Sequence, residues 1–182
     1  MKYMSKSVAL FLGFLICAMP APIAAQSSGT SAVAQIDSDC DAVLSATSQT
    51  TPVAVVLHGK KWVVVNLAQL YLAGGPKNPG QGTPHYAEVY KHGARYVYVR
   101  EVSFDKYSQQ HALGLCYRND GTLARARQAK TIPALSSETA QRAYYAADGT
   151  LIQKTPDFNE KDPTVVKNFN DLQYFSVLPP PS

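Results

Sequence analysis

The residue types best suited to chemistry in this sequence are arginines and a tyrosine in its second half. Guanidinium groups form forked hydrogen bonds with phosphate and carboxylate groups. The sequence therefore predicts a binding face for an anionic envelope component or an exported protein partner, made of Tyr117, Arg118, Arg125, Arg127 and Arg142. The alternative is a solvated sheet face whose tyrosines lie half in the core.

Motifs for catalysis or metal binding lack the spacing that either chemistry needs. The four histidines are scattered, and no H-E-x-x-H or other metal-ligand spacing occurs. The glycine-rich stretch at 74–84 lacks the third glycine of G-x-G-x-x-G and the G-K-[ST] of a phosphate loop. No G-x-S-x-G elbow is present, although a Ser-His-Asp site can assemble from distant residues. We therefore predict no catalytic residues, no metal and no cofactor, and the sequence favours a binding protein over an enzyme.

The first 25 residues have the pattern of a secretory signal peptide. Two lysines precede an apolar core from Val8 to Met19, which is too short for a membrane span, and small residues follow to Ala25. We predict export to the periplasm or the extracellular medium. A lipoprotein signal that uses Cys17 is the alternative, which the bulky Ile16 before it disfavours. Residues 26–35 are small and polar and predict a flexible leader.

Cys40 and Cys116 are the two cysteines that follow the predicted signal peptide. In an oxidising compartment, two cysteines most simply form one disulfide. Closing a loop of about 77 residues would stabilise the fold by roughly 4 kcal/mol. A redox pair is the alternative, which the absence of a C-x-x-C motif disfavours.

The charge balance disfavours a nucleic-acid partner. The whole chain has a formal net charge of +4, and two of its lysines lie in the predicted signal peptide, which leaves +2. That balance gives no electrostatic footprint for nucleic acid. No apolar run after residue 25 has the length of a transmembrane helix. We therefore predict no nucleic-acid partner and no membrane span, and the oligomeric state stays open.

Residue alternation predicts a series of β-hairpins. Segments 53–66, 85–104, 111–128 and 142–154 each contain two strand-forming runs around a turn. The segment LQYFSV at 172–177 predicts a closing strand, which brings the total to about nine strands. The expected architecture is a mainly β, antiparallel hairpin or meander sheet, either curved or a sandwich, with one or two short helices.

Short helices and a tail complete the expected single domain over residues 36–178. A helix that begins at Ile36 places Cys40 on its buried face, and Leu67–Leu72 has room for one helical turn. Asp162 and Pro163 predict the start of another short helix, as N-cap and first helical residue. The Pro-rich residues 179–182 predict a stiff, exposed tail.

Two hairpins share a motif, YRNDGTL at 117–123 and YAADGTL at 145–151. A three-residue loop with glycine in the left-handed bulge position pairs Tyr117 with Leu123 and Tyr145 with Leu151. The region around these motifs, about residues 111–155, resembles uncharacterised exported bacterial proteins with Y-x-x-D-G-x-L hairpins. The resemblance implies no known activity.

The register of the first motif also predicts which residues share a face. Cys116 is expected on a face of small residues, where the helix that carries Cys40 can dock. Arg125 and Arg127 are expected on the opposite face, together with Tyr117.

These observations together predict an exported, non-catalytic β domain that binds an envelope component or a partner protein. A small carrier that encloses a lipophilic ligand in a curved sheet is the first alternative. A hydrolase without a readable motif is the second.

Overall fold

The computed structural model describes residues 24–72, 86–104, 109–132, 137–161 and 164–180. Apart from its last two residues, the predicted signal peptide lies outside these ranges, as does the glycine-rich stretch at 74–84. The helices and strands are α1 Ala24–Thr47, β1 Val53–His58, β2 Lys61–Val65, α2 Leu67–Leu72, β3 Tyr86–His92, β4 Arg95–Phe104, β5 Gln110–Tyr117, β6 Leu123–Ile132, β7 Ser137–Tyr145 and β8 Leu151–Lys154.

All of these strands belong to one open antiparallel sheet. Its strand order is β2-β1-β3-β4-β5-β6-β7-β8. Strands that are consecutive in the chain are neighbours in the sheet, except that β1 lies between β2 and β3. The predicted mainly β, antiparallel meander is therefore confirmed. The sandwich alternative does not apply to the described strands, because a sandwich needs a second sheet.

One face of the sheet, which we call the core face, is covered by the part of the chain that follows β8. We call this part, from residue 155 onward, the C-terminal segment. Alternate strand residues such as Val55, Val99 and Leu115 are fully buried there. The segment covers them with apolar side chains, namely Phe158, Val165, Phe169, Leu172 and Tyr174.

The predicted closing strand at 172–177 is wrong. The chain forms two 3₁₀ turns instead, Phe169–Asp171 and Phe175–Val177. Their hydrogen bonds are local, since the backbone N–H of Phe175 donates to the carbonyl of Leu172 at 2.9 Å. The segment lies across the sheet, so burial of rings on the core face replaces pairing at a sheet edge.

The predicted helix start at Asp162 and Pro163 lies outside the described residues. Residues 164–168, which follow, contain no helix. The predicted helical turn at Leu67–Leu72 is present as α2.

The opposite face of the sheet carries α1. The helix buries Ile36 and Cys40 against Cys116, Ala124 and Tyr144. The disulfide between Cys40 and Cys116 is formed, as predicted, and it joins residues separated by 76 positions. No helix among the described residues is both long and apolar enough to cross a membrane.

The helix α1 begins earlier than expected and includes residues 26–35, for which we predicted a flexible leader. Side-chain pairing supports the helix at the end of this stretch, because Gln35 Nε2 donates to Asp39 Oδ1 at 2.7 Å, one turn away. Packing of Ile36 and Cys40 on the sheet then anchors the turn that follows.

The two Asp-Gly hairpins have the predicted turn. Gly121 and Gly149 have φ of 85° and 82°, the left-handed conformation that favours glycine. Across the first turn, the N–H of Arg118 donates to the carbonyl of Thr122 at 2.8 Å. The predicted pairs are confirmed in both hairpins, Tyr117 with Leu123 and Tyr145 with Leu151.

The predicted division of faces in the first hairpin is confirmed for Cys116, on whose face the Cys40 helix docks, and is wrong for Arg125 and Arg127. The register shifts next to the turn, so that Tyr117 pairs with Leu123 while Cys116 pairs with Arg125. Ala124 is the extra residue of this bulge, and it reverses the alternation along β6. Arg125 therefore shares the face of Cys116 and α1, and so does Arg127, two residues further on.

Candidate functional site

The structure divides the five residues of the predicted anionic binding face between the two sides of the sheet. Arg125, Arg127 and Arg142 lie on the side of α1, because the ladder pairs Arg127 with Arg142 and Cys116 with Arg125. Three of the five predicted residues are thus brought together.

The other two predicted residues serve the opposite side and the turn. Tyr117 is buried in the core face, and its hydroxyl donates to the carbonyl of Val166 at 2.9 Å. Arg118 ties the two hairpins together, since its guanidinium donates to the carbonyl of Leu123 at 2.6 Å and to that of Tyr145. Neither side chain joins the other three arginines.

Strand pairing adds Arg100 to the side of α1, a residue that the sequence analysis missed. Arg100 pairs with Gly114, Gly114 pairs with Arg127, and Arg127 pairs with Arg142. Directly opposed residues point to the same face. The ladder therefore places three arginines in one row across β4 to β7. Together with Tyr98 and Arg125 they form what we call the arginine face: Tyr98, Arg100, Arg125, Arg127 and Arg142.

Gly114 makes room for Tyr98 at the centre of the arginine face. A Cβ atom at position 114 would lie 2.5 Å from the hydroxyl oxygen of Tyr98, which is closer than real contacts allow. The absence of a side chain at this position is therefore what lets the hydroxyl end of Tyr98 lie against Gly114 of β5.

Burial and positive charge act in opposite directions on the Tyr98 hydroxyl. Burial raises its pKa, whereas the nearby guanidinium groups of Arg100, Arg127 and Arg125 lower it. Burial prevails, so the phenol is a neutral O–H at ordinary pH and can donate a hydrogen bond. Its donor lies near the guanidinium group of Arg127, and a neutral donor beside a cationic group suits an anion.

Arg125 has a structural partner in α1. Its side chain is buried, and its two terminal nitrogens donate to Asp37 at 2.7 Å and to Asp41 at 2.8 Å. Burial lowers the pKa of Arg125, but the hydrogen bonds that it donates to the two carboxylates, and their negative charges, outweigh burial, so the net shift is upward. Tyr144 also donates to Asp37, at 3.0 Å. Within the arginine face, Arg125 therefore fixes the helix, and its charge is compensated by the two helix carboxylates.

Arg100 is oriented by a buried carboxylate. Glu88 opposes it across the ladder, and the distance from Arg100 Nη1 to Glu88 Oε2 is 3.2 Å. Two tyrosine hydroxyls also donate to Glu88, from Tyr90 at 2.9 Å and from Tyr71 at 3.3 Å. These donors satisfy the buried carboxylate and hold one end of the arginine row in place.

The other end of the row is more accessible. Arg142 is exposed and Arg127 is partly exposed, and the two stand directly opposite each other on β6 and β7. Like charges at directly opposed positions are unfavourable, and an anion placed between them would reverse the sign of that interaction. The row can therefore bind phosphate or carboxylate, and its cationic groups do not suit a metal ion.

Metal-ligating residues are not gathered elsewhere in the described ranges. Within them, no group of three or more His, Cys, Asp or Glu side chains is placed to hold a metal ion.

Comparisons with known proteins identify no relative of this chain. No protein-family model matches the chain, and neither the curated proteins nor the solved structures give a match. The functional argument therefore depends on the arginine face itself. One sequence signal could have found its missed residues, since Tyr98 and Arg100 are two apart on one strand and so share a face.

Proposed function

We propose that the protein is an exported, non-catalytic binding module that holds an anionic group of an envelope component or a partner protein on its arginine face. The observation that carries the proposal is the row formed by Arg100, Arg127 and Arg142, with the Tyr98 hydroxyl beside it. Guanidinium forks match the oxygen geometry of phosphate and carboxylate. The disulfide is consistent with an oxidising, exported location.

Binding is favoured over carriage of a lipophilic ligand by the packing of the sheet. A carrier needs a contiguous apolar cavity inside its sheet. Here Phe158, Leu172 and Tyr174 fill the core face. The accessible arginine face is cationic and better suited to a charged group.

Binding is also favoured over hydrolysis by the chemistry of the arginine face. A hydrolytic site needs a group that accepts a proton near neutral pH. Arginine stays protonated, and burial raises the pKa of Tyr98, so both residue types act as hydrogen-bond donors.

Calorimetric titration with inorganic pyrophosphate and, separately, with citrate tests the proposal. The first probe carries phosphate oxygens and the second carboxylate oxygens. The double substitution Arg127→Gln/Arg142→Gln should weaken binding of the preferred probe by at least about tenfold, because hydrogen bonds between charged groups contribute about 1.5–3 kcal/mol each.

A matched control separates specific binding from general attraction of anions. Lys60→Gln/Lys61→Gln removes the same charge from two exposed residues, one in the turn after β1 and one at the start of β2. We expect this variant to bind the probe as the unmodified protein does. Equal losses in the two double variants, or no heat with either probe at millimolar concentration, would refute the arginine face as a binding site.

A further inference from the structure

A second candidate site lies on the core-face side, at one end of the sheet. It is a cleft of about 500 Å³ between the turns that follow β3 and β5 and the C-terminal segment. We call it the aromatic cleft, because the rings of Tyr96, Phe169 and Phe175 line it. Its volume falls in the range of ligand-binding clefts.

The rings of the aromatic cleft form a continuous apolar surface. Tyr96 stacks on Phe169 with ring centroids 5.6 Å apart and an interplanar angle of 17°. Phe175 meets Phe169 edge-on at 5.8 Å and remains 41% exposed. An exposed ring packed edge-on against a buried ring is a contact surface that loses little entropy on binding.

The end of the described chain, Leu178 to Pro180, forms one wall of the cleft, and its backbone is extended at Leu178. Leu178 has φ −68° and ψ 137°, close to the polyproline II values. Pro179 follows, and its carbonyl accepts a hydrogen bond from the Tyr96 hydroxyl at 2.6 Å. Proline has no N–H, so carbonyl oxygens are the hydrogen-bonding handles of a proline-rich segment.

We propose that the aromatic cleft recognises an extended, proline-rich segment of a partner protein, which replaces the chain's own residues at Pro179 and Pro180. Aromatic grooves that contact proline rings and donate hydrogen bonds to backbone carbonyls are an established mode of polyproline II recognition. The contact between Tyr96 and Pro179 has the same chemistry within one molecule. Pro179, the first residue of the predicted stiff tail, thus contacts a ring of the cleft.

Replacement of the internal segment is energetically accessible. Pro179 and Pro180 are both exposed, and the hydrogen bond from Tyr96 can pass from one carbonyl to another. A partner segment with the same extended conformation pays little ordering entropy. Because the arginine face lies on the other side of the sheet, this proposal stands or falls independently of anion binding.

Fluorescence anisotropy with a labelled polyproline peptide tests the proposal on the disulfide-bonded protein. Phe175→Ala should weaken binding by about tenfold, because it removes the exposed ring of the cleft. Pro179→Gly/Pro180→Gly should tighten binding by about threefold or more, since a flexible internal segment competes less well. Leu72→Ala, which truncates an exposed apolar side chain in α2, is the matched control and should leave binding unchanged.

The urea concentration at the unfolding midpoint is measured for each variant, so that a loss of the fold is recognised. If Phe175→Ala lowers the midpoint, Phe175→Leu replaces it, because leucine keeps apolar volume and removes the ring. The proposal is overturned if neither the unmodified protein nor the double proline variant binds the peptide. It is also overturned if a glycine–serine peptide of equal length binds as well, or if the Phe175 variants bind like the Leu72 control.

Discussion

Glu101 illustrates, at the residue scale, how burial alters an ionisable group. The side chain is buried on the core face, and its Oε1 accepts a hydrogen bond from the Tyr174 hydroxyl at 2.5 Å. Burial raises the pKa of Glu101 from 4.5 to about 7, although the hydrogen bond from Tyr174 lowers it. Between these two pKa values the folded protein holds a proton that the unfolded chain has released.

We expect the contribution of Glu101 to the free energy of unfolding to be fully present below pH 4.5 and to be lost as the pH rises through about 7. The loss amounts to roughly 3 kcal/mol, at about 1.4 kcal/mol per pKa unit. Urea unfolding between mildly acidic and mildly basic pH measures it. Glu101→Gln should remove most of this dependence, and an unchanged pH dependence in that variant would contradict the assignment.

Gly114 and Tyr98 form a second test at the residue scale. Gly114→Ala places a Cβ atom where the Tyr98 hydroxyl lies, at 2.5 Å, and should lower the free energy of unfolding by about 1–3 kcal/mol. The same substitution in a Tyr98→Phe background should cost less, because the hydroxyl is gone. A double-mutant cycle from denaturant unfolding measures this coupling, and equal costs in both backgrounds would rule out the close approach.

At the scale of elements, α1 is held on the sheet by both covalent and ionic contacts. The disulfide joins Cys40 of the helix to Cys116 of β5, and Arg125 of β6 binds two helix carboxylates. Each contact lies on the same face as Tyr98. The helix therefore borders the arginine face and fixes one side of it.

Removing the disulfide should destabilise the protein without detaching its other contacts. We expect Cys40→Ser/Cys116→Ser to lower the free energy of unfolding by about 4 kcal/mol, the loop-closure value for a long loop. Thermal and denaturant unfolding measure the change, with the unmodified protein under reducing conditions as the comparison. A double variant as stable as the oxidised protein would show that the bridge does not constrain the unfolded chain.

Local elements were predictable from the sequence because their signals are local. Glycine at positions 121 and 149 specifies the turn, and the turn specifies the pairing of Tyr117 with Leu123. The bulge at Ala124 was not predictable in this way, because one extra residue reverses a whole face without altering the residue pattern. Tyr117 was placed on one face with Arg125 and Arg127 for that reason.

The C-terminal segment was mispredicted for a different physical reason. Alternating apolar residues at 172–177 suit a strand, but every sheet strand among the described residues is placed by hairpin pairing earlier in the chain. The segment instead lies across the sheet and buries Leu172 and Tyr174. Tertiary burial of this kind overrides a local strand preference.

At the scale of the whole molecule, the sheet separates two surfaces with different chemistry. One side is apolar, covered by the C-terminal segment and ending in the aromatic cleft. The other carries α1, the disulfide and the arginine face. The functional account assigns a charged ligand to the second side and an extended, proline-rich ligand to the end of the first.

An amide NMR titration of the disulfide-bonded protein with inorganic pyrophosphate tests the central claim most directly. If the anion binds on the arginine face, the largest shift changes occur at Gly114, which lies beneath Tyr98, and at Arg127. The turn residue Gly59, between β1 and β2, should change little. Largest changes at Gly59, or no saturable change at Gly114, would contradict the assignment of this face as the binding site.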